Sequence, residues 1–314
     1  MKIVFAEPIG MGKADIDAFS STCVKLGHTV EYPEKRIEEA MKVRELICDA
    51  DILVVEKQKI SVDELNVCNN LKMLTVAFTG YDQIDVEACT KRNIVVANAP
   101  GYSTHSVAEL TIGMIISSMR KMAWGDGQTR ILSDREGFLG RELFRKTIGI
   151  IGTGTIGSRV AEILQVFECK VLAYSPTKKN IPGVTYTTLD DLLKRADVVT
   201  LHIPLNEKTH HLIGERELKL MKNDAVLINT ARGLVVDYQA LAVALHTKEI
   251  SAAAVDIYEE EPPLPGDHPL LDAPHVLLLP HIAYATHASI KRRGEIVCAN
   301  ILNWLAGKPC NAVN

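Results

Sequence analysis

The run Thr147-Ile148-Gly149-Ile150-Ile151-Gly152-Thr153-Gly154-Thr155-Ile156-Gly157 constrains the fold of this chain more than any other stretch. Ile148 to Ile151 reads as a short buried strand, because a compact apolar run stopped at glycine fits a parallel sheet covered on both faces. Gly152, Gly154 and Gly157 then take the G-x-G-x-x-G spacing at a strand-to-helix turn. One glycine makes the turn tight, the next lets backbone approach a pyrophosphate, and the last lets helix and strand pack closely. The helix expected from about Thr155 to Phe167 aims its free N–H groups and positive dipole end at the same place. Such glycine turns also occur without nucleotide, so the flanking strand and amphipathic helix carry the inference. The expectation is a dinucleotide site, with Thr155 and Ile156 beside the phosphates.

The rest of the chain alternates in the same manner. Strands are expected at Lys2–Glu7, Thr29–Tyr32, Asp51–Val55, Leu71–Phe78 and Ile94–Ala97, with helices at Ala14–Leu26, Ile37–Cys48 and Asp85–Lys91. Pro100-Gly101 punctuates the sequence, and Ser103 to Met122 reads as a long helix too apolar for solvent, a domain spine and a subunit interface together. Trp124–Arg145 is polar, contains glycine, is weakly periodic, and is read as an excursion on or near that interface. After the glycine turn, strands follow near Lys170–Tyr174, Asp197–Leu201, Ala225–Asn229, Ser251–Asp256 and Val276–Leu279, with helices including Leu189–Arg195 and Asp237–Thr247. A last helix, about Thr286–Leu305, could return to the first domain. Alternation of this kind gives an α/β fold of doubly wound parallel sheets. Open sheets bind ligands beyond the carboxyl ends of their strands. The functional expectations therefore fall on Thr79-Gly80-Tyr81, Ser175, Pro204, Thr230-Ala231-Arg232, Asp256 to Glu261, and His281.

Bulk properties remove several classes. A net charge of −4 over 314 residues gives no general attraction to nucleic acid or membrane. Seven cysteines stand singly, with no CxxC, which suits a reducing compartment and argues against a disulfide framework or a metal site. Met1–Glu7 reads as a strand rather than a leader, no apolar run approaches a membrane span, and a cytoplasmic location is expected.

Six ordered signatures give the chain a likeness. They are Thr79-Gly80-Tyr81-Asp82-Gln83-Ile84-Asp85, Ser106-Val107-Ala108-Glu109, Gly152–Gly157, Asn229-Thr230-Ala231-Arg232-Gly233, Asp256-Ile257-Tyr258-Glu259-Glu260-Glu261-Pro262, and Pro280-His281-Ile282. In these the chain resembles, over nearly its whole length, the D-isomer-specific 2-hydroxyacid dehydrogenases. That family includes phosphoglycerate dehydrogenases, glyoxylate/hydroxypyruvate reductases and D-lactate dehydrogenases. The resemblance implies a Rossmann-type nucleotide domain, residues 99–285, inserted into a flavodoxin-like substrate domain, residues 1–98 and 286–314. It also implies a homodimer built on the nucleotide domains, an active site between the domains, and hydride exchange between a nicotinamide and C2 of a small 2-keto or 2-hydroxy acid.

In that reading His281 gives or takes the proton, since imidazole titrates near neutrality. Glu261 pairs with it, and a nearby carboxylate favours the protonated ring; within the run Glu259-Glu260-Glu261, only the register of the motif selects Glu261. Arg232 grips the substrate carboxylate with its planar fork and polarises the carbonyl. Main chain at Thr79, Gly80 and Tyr81 holds the other carboxylate oxygen. Asp256 and the backbone at Thr230 meet the nicotinamide carboxamide, Pro204 packs against the cofactor, and Thr104 touches it. His105, His210, His211, His268 and His287 receive no role.

Two departures matter. NAD-preferring folds usually place Asp or Glu about 20 residues beyond the glycines, on the ribose 2′-OH. Here the second strand runs into Ser175-Pro176-Thr177-Lys178-Lys179, so Ser175, Thr177 and Lys178 are expected at the ribose and NADP(H) is favoured over NAD(H). Tyr284 stands where many relatives have a small residue or tryptophan, and with Tyr81 could narrow the substrate pocket. The leading expectation is a reductase of glyoxylate, hydroxypyruvate or pyruvate. Phosphoglycerate dehydrogenase is the alternative within the class, with no regulatory domain expected after Asn314. Formate dehydrogenases carry glutamine where this chain has Glu261. From another class, a nucleotide-sensing corepressor or scaffold would bind cofactor without turnover.

Overall fold

The computed structural model describes every residue except Glu38 and Gly137. Contacts divide the chain into two compact units, Met1–Ser103 with Thr286–Asn314, and Thr104–Ala285.

The first unit is a five-stranded sheet of β1 (Lys2–Phe5), β2 (Thr29–Glu31), β3 (Ile52–Val55), β4 (Met73–Val76) and β5 (Val95–Ala97). All neighbours pair parallel in the order β2-β1-β3-β4-β5, the flavodoxin-like order. Its central strands are apolar on both faces because both are covered. Ile3, Phe5, Ile52, Val54 and Met73 join Phe19 and Cys23 of the helix Lys13–Lys25 and Val297 and Ile301 of the helix His287–Leu305. Val4, Leu53, Val55, Leu74 and Val76 join Val43 and Ile47 of the helix Ala40–Ile47 and Leu65 of the helix Val62–Val67. That last helix went unread in the sequence because six residues hold too little periodicity. Helical spacing was expected to begin at Ile37; the helix starts at Ala40, and Glu38 lies outside the described residues.

One buried cation ties the strand ends of this unit. Arg293 is 2% exposed. It donates from Nη1 to Glu56 Oε1 at 2.7 Å and from Nη2 to the Ile9 carbonyl at 2.6 Å. Its guanidinium also lies 5.2 Å from the Phe78 ring centroid and 5.8 Å from that of Tyr102. Ile9, Glu56, Phe78 and Tyr102 follow β1, β3, β4 and β5 respectively. Beside them the buried Glu7 carboxylate accepts from the main-chain N–H groups of Glu56, Lys57 and Gln58 at 2.9, 2.6 and 2.6 Å. Thr79 is held in turn, its hydroxyl donating to the Ala99 carbonyl at 3.1 Å and its carbonyl accepting from Asn98 Nδ2 at 2.7 Å. Loops are thus fixed by charge and hydrogen bonds where the sheet itself has ended.

The second unit is a seven-stranded sheet of β6 (Thr147–Ile151), β7 (Lys170–Tyr174), β8 (Val184–Tyr186), β9 (Val198–Leu201), β10 (Val226–Asn229), β11 (Ala252–Val255) and β12 (Val276–Leu278). Every adjacent pair in the order β12-β11-β10-β9-β6-β7-β8 is parallel. The chain therefore leaves β6 in one direction and returns at β9 in the other, a topological switch point. The apolar helix Thr104–Arg120 is the spine expected of it, with Ala108, Ile112, Met114, Ile115 and Met119 packed beside Ile148, Ile150, Ile228 and Ala254. It stops at Arg120, Lys121 is left-handed at φ 49°, and a second helix, Met122–Arg130, begins. That helix, which was not expected, takes up the first part of the stretch Trp124–Arg145. It buries none of its residues and contains Gly125 and Gly127, so neither apolar period nor propensity announces it. An Asp126–Arg130 pair at 2.8 Å and stacking of Trp124 on Phe138 at 5.0 Å support it instead. Gly137, within the same stretch, lies outside the described residues.

Two more short elements, β8 and the helix Glu215–Leu220, were also not expected. Among the described residues no helix is long and apolar enough to cross a membrane.

Arg293→Met should destabilise the first unit by roughly 3–5 kcal/mol at neutral pH, because it strands the Glu56 carboxylate. Burial already raises the Glu56 carboxyl above its ordinary value, against the pull of Arg293. Its ionisation therefore costs stability as pH rises through that range, and without the arginine it costs more. Thermal unfolding should show a larger Tm deficit at pH 7 than at pH 5; equal deficits would mean that Glu56 is not the stranded group.

Candidate active site

The glycine turn is built as its spacing implies. Gly152 has φ +96°, and a Cβ there would lie 2.4 Å from the His202 carbonyl oxygen at the start of the neighbouring strand loop. A Cβ on Gly157 would lie 2.0 Å from the Gly152 carbonyl oxygen, so only glycine lets the helix Thr155–Val166 leave the sheet this closely. Gly154, the cap of that helix, faces open space. Two glycines are therefore filled by protein and the middle one is open, with Thr155 exposed and Ile156 half-buried beside it. His202 accompanies the turn. Burial pushes its imidazole down to about 3, so it stands neutral, with Nε2 3.0 Å from Thr200 Oγ1.

Across the switch point, three adjacent strands deliver the charged residues. Arg232 follows β10, Asp256 and Glu261 follow β11, and His281 follows β12. Parallel register puts all of these loops at one edge of the sheet. His281 Nδ1 lies 2.6 Å from Glu261 Oε1, and the Tyr284 ring meets the imidazole edge-on at 5.2 Å. A carboxylate at Nδ1 makes that nitrogen the N–H donor and leaves Nε2 as the nitrogen available for proton exchange. His281 also sits at φ +57°, in the left-handed region that a side chain seldom adopts. Asp256 holds it there. The carboxylate is 1% exposed and accepts from the Ile282 N–H with one oxygen and the Ala283 N–H with the other, each at 2.8 Å. The resemblance implies Asp256 at the carboxamide; in the structure its carboxylate also grips the turn that presents His281. Burial raises its carboxyl, while those two N–H groups and His281 pull it down.

Sequence reasoning missed the scaffold under Arg232. Asn229, fully buried, accepts from the Ala231 N–H at 3.0 Å and donates to the Arg232 carbonyl at 3.0 Å and to Tyr238 Oη at 2.8 Å. Tyr238 passes its own proton to the Ile257 carbonyl at 2.6 Å. The arginine loop and the Glu261 loop are thereby fixed to each other, and Gly233 allows it, since a Cβ there would lie 2.0 Å from the Tyr258 carbonyl. Asn229 was visible only as part of a motif, and Tyr238 only as the start of a helix. Arg232 itself is half-buried, donating from Nη1 to the Ala231 carbonyl at 2.8 Å. Thr230 Oγ1 meets Thr111 Oγ1 at 3.2 Å.

The remaining expected residues are divided between the two units. Ser175 is half-buried, and Thr177 and Lys178 are exposed, just beyond β7, with no carboxylate among residues 175–179. Pro204 is exposed beyond β9, and Thr104 opens the spine helix. Thr79, Gly80 and Tyr81 belong to the first unit, beyond β4, where Tyr81 is 36% exposed. Among the described residues no cluster of His, Cys, Asp and Glu could hold a metal ion.

Comparison with known proteins gives three kinds of match. A family model, the D-isomer specific 2-hydroxyacid dehydrogenase NAD-binding domain, matches residues 112–283. A glyoxylate reductase of Thermofilum pendens is 38% identical over 288 residues, 88% of this chain and 84% of the relative. A D-3-phosphoglycerate dehydrogenase of Methanocaldococcus jannaschii is 40% identical over 278 residues, 86% of this chain but 53% of the relative. Among solved structures, an acyclic imino acid reductase in complex with NADPH and D-Arg superposes with a TM-score of 0.91 at 31% identity, covering 100% of both chains.

Asp256→Ala should free the turn that carries His281. Amide exchange at Ile282 and Ala283 is expected to accelerate about tenfold or more, with β10 unaffected. Unchanged exchange at both amides would mean that other contacts hold the turn.

Proposed function

Because this chain belongs to the D-isomer-specific 2-hydroxyacid dehydrogenase family, oxidoreductases acting on CH–OH groups, we propose that it reduces glyoxylate or hydroxypyruvate to the 2-hydroxy acid, with NADPH preferred. The observation that carries this is the His281–Glu261 pair, 2.6 Å apart, one strand away from Arg232. A bound nicotinamide supplies the hydride. The charge that then develops on the carbonyl oxygen needs a proton and a nearby cation. His281 Nε2 gives that proton, Glu261 keeps the ring in the right tautomer, and Arg232 binds the carboxylate in a bidentate pair. Main-chain N–H groups at Thr79, Gly80 and Tyr81 donate to the same carboxylate.

The cofactor fits the residues present. Gly152, Gly154, Thr155, Ile156 and Gly157 receive the pyrophosphate, supported by the open face of Gly154 and the filled faces of its partners. Thr104, Pro204, Thr230 and Asp256 line the nicotinamide end. Ser175, Thr177 and Lys178 meet the ribose, and the missing carboxylate there favours the 2′-phosphorylated form. The imino acid reductase of the same fold was solved with NADPH. A second copy of the chain would cover the apolar side chains that the second unit exposes, Met122, Trp124, Ile131, Leu139 and Phe144 among them, giving a homodimer. Free cysteines throughout fit a cytoplasmic location.

A spectrophotometric assay of reduced nicotinamide with glyoxylate, hydroxypyruvate, pyruvate and 3-phosphohydroxypyruvate tests the reading. Turnover of the first two, faster with NADPH, is expected; preference for the phosphorylated acid would assign phosphoglycerate dehydrogenase, and tight nucleotide binding without turnover would assign a sensor. His281→Ala should keep cofactor binding and lose about 1,000-fold or more in kcat, within the span of general acid–base catalysis. Ser175→Asp should move preference toward NADH by about tenfold. A variant with wild-type preference would show that the loop does not read the 2′ position.

A further inference from the structure

Tyr186 closes β8, the edge strand of the second sheet, and no motif assigns it a role. Its hydroxyl accepts from the Lys179 main-chain N–H at 2.9 Å and donates to Thr153 Oγ1 at 3.0 Å. Thr153 stands between the first two glycines of the turn, is 2% exposed, and passes its proton to the Thr177 carbonyl at 3.5 Å. Each hydroxyl owns one proton, so the donors run in one direction with none misdirected: Lys179 N–H, Tyr186 Oη, Thr153 Oγ1, Thr177 carbonyl. The chain begins and ends on the loop after β7 and passes through the glycine turn on the way. Thr177, Lys178 and Lys179 are themselves exposed, and this bracing reaches the backbone on either side of Lys178.

We propose that Tyr186 is a positioning residue for cofactor selectivity. By bracing the backbone of Thr177 and Lys179 against the glycine turn, it fixes Ser175, Thr177 and Lys178 where they meet the adenosine ribose. The proposal rests on the reading of that loop as the ribose site. Tyr186 touches neither the reacting atoms nor the pyrophosphate turn except through Thr153. Removing its hydroxyl therefore loosens recognition of the 2′ position and leaves the chemical step alone. The phenylalanine variant keeps the ring and loses two hydrogen bonds, each of modest net worth, so an effect of about fivefold to tenfold is expected.

The test uses the full chain and two probes that differ by one phosphate, adenosine 2′,5′-bisphosphate and 5′-AMP, with kcat measured in parallel. Tyr186→Phe should change the ratio of their Kd values by about fivefold or more, with kcat within about twofold of wild type. Thr153→Val should do the same and Thr153→Ser should not. The double variant Tyr186→Phe/Thr153→Val should be no worse than either single one, because both break the same chain. A ratio unchanged in Tyr186→Phe, a fall in kcat at constant ratio, or additive effects in the double variant would overturn the proposal. Should Tyr186→Phe fail to fold, the Thr153→Val and Thr153→Ser pair decides. Ser175→Asp separates the two levels: if it shifts the ratio and Tyr186→Phe does not, only the bracing is wrong. If Ser175→Asp shifts nothing, the ribose reading fails and takes this proposal with it.

Discussion

A methyl group on Gly157 would sit 2.0 Å from the carbonyl oxygen of Gly152, and a methyl on Gly152 would sit 2.4 Å from that of His202. These two approaches decide how the second unit is assembled. They bring the helix Thr155–Val166, the end of β6 and the loop after β9 into one close contact at the point where the strand order reverses. No side chain can share that space, so the turn is fixed by exclusion rather than by attraction. The half-buried His202 belongs to the same constraint, its imidazole held neutral by loss of solvation among the loops that meet there. With protein filling the first and last glycines, the middle one is the open face.

On the other side of the switch point the constraint is electrostatic. The Asp256 carboxylate accepts from two backbone N–H groups, and this holds His281 in a left-handed conformation that a free turn would avoid. Asn229 and Tyr238 fix the Arg232 loop with hydrogen bonds that join the Ala231 N–H and the Arg232 carbonyl to the Ile257 carbonyl. Buried polar networks are costly when half satisfied and rigid when complete. The first unit shows the same economy in another form, with the buried Arg293 gathering four strand-end loops and Glu7 capping one of them. In both units the sheet supplies direction, and buried charge supplies position beyond its edge. The exposed ion pairs of the surface, such as Lys219–Glu215, contribute little by comparison.

Much of this was legible in the chain itself, and the reasons differ by element. The strands of both sheets could be read because double coverage demands continuous apolar runs, and the strand Lys170–Tyr174 falls where its run does. The glycine turn could be read because its spacing has a steric cause. The helix Met122–Arg130 could not, since it buries nothing, and β8 could not, since three edge residues carry no alternation. The tyrosine closing that strand, the scaffold of Asn229 and Tyr238, and the second engagement of Asp256 were equally silent, because each depends on how folded loops meet and leaves no apolar period or motif to read.

The sequence alone determined the fold class, the glycine turn and the short set of charged residues at strand ends, because these follow from local sterics, apolar period and motif register. Register also selected Glu261 from a run of three glutamates. Only the tertiary structure gave the geometry in which Glu261 meets His281 from the neighbouring strand, and showed that Asp256 grips the turn after His281 and that Tyr186 reaches the glycine turn at Thr153. Hydrogen bonds of this kind join residues 20 to 33 positions apart. Their geometry is set by which strands lie side by side, and strand order is a property of the packed sheet rather than of any segment in it.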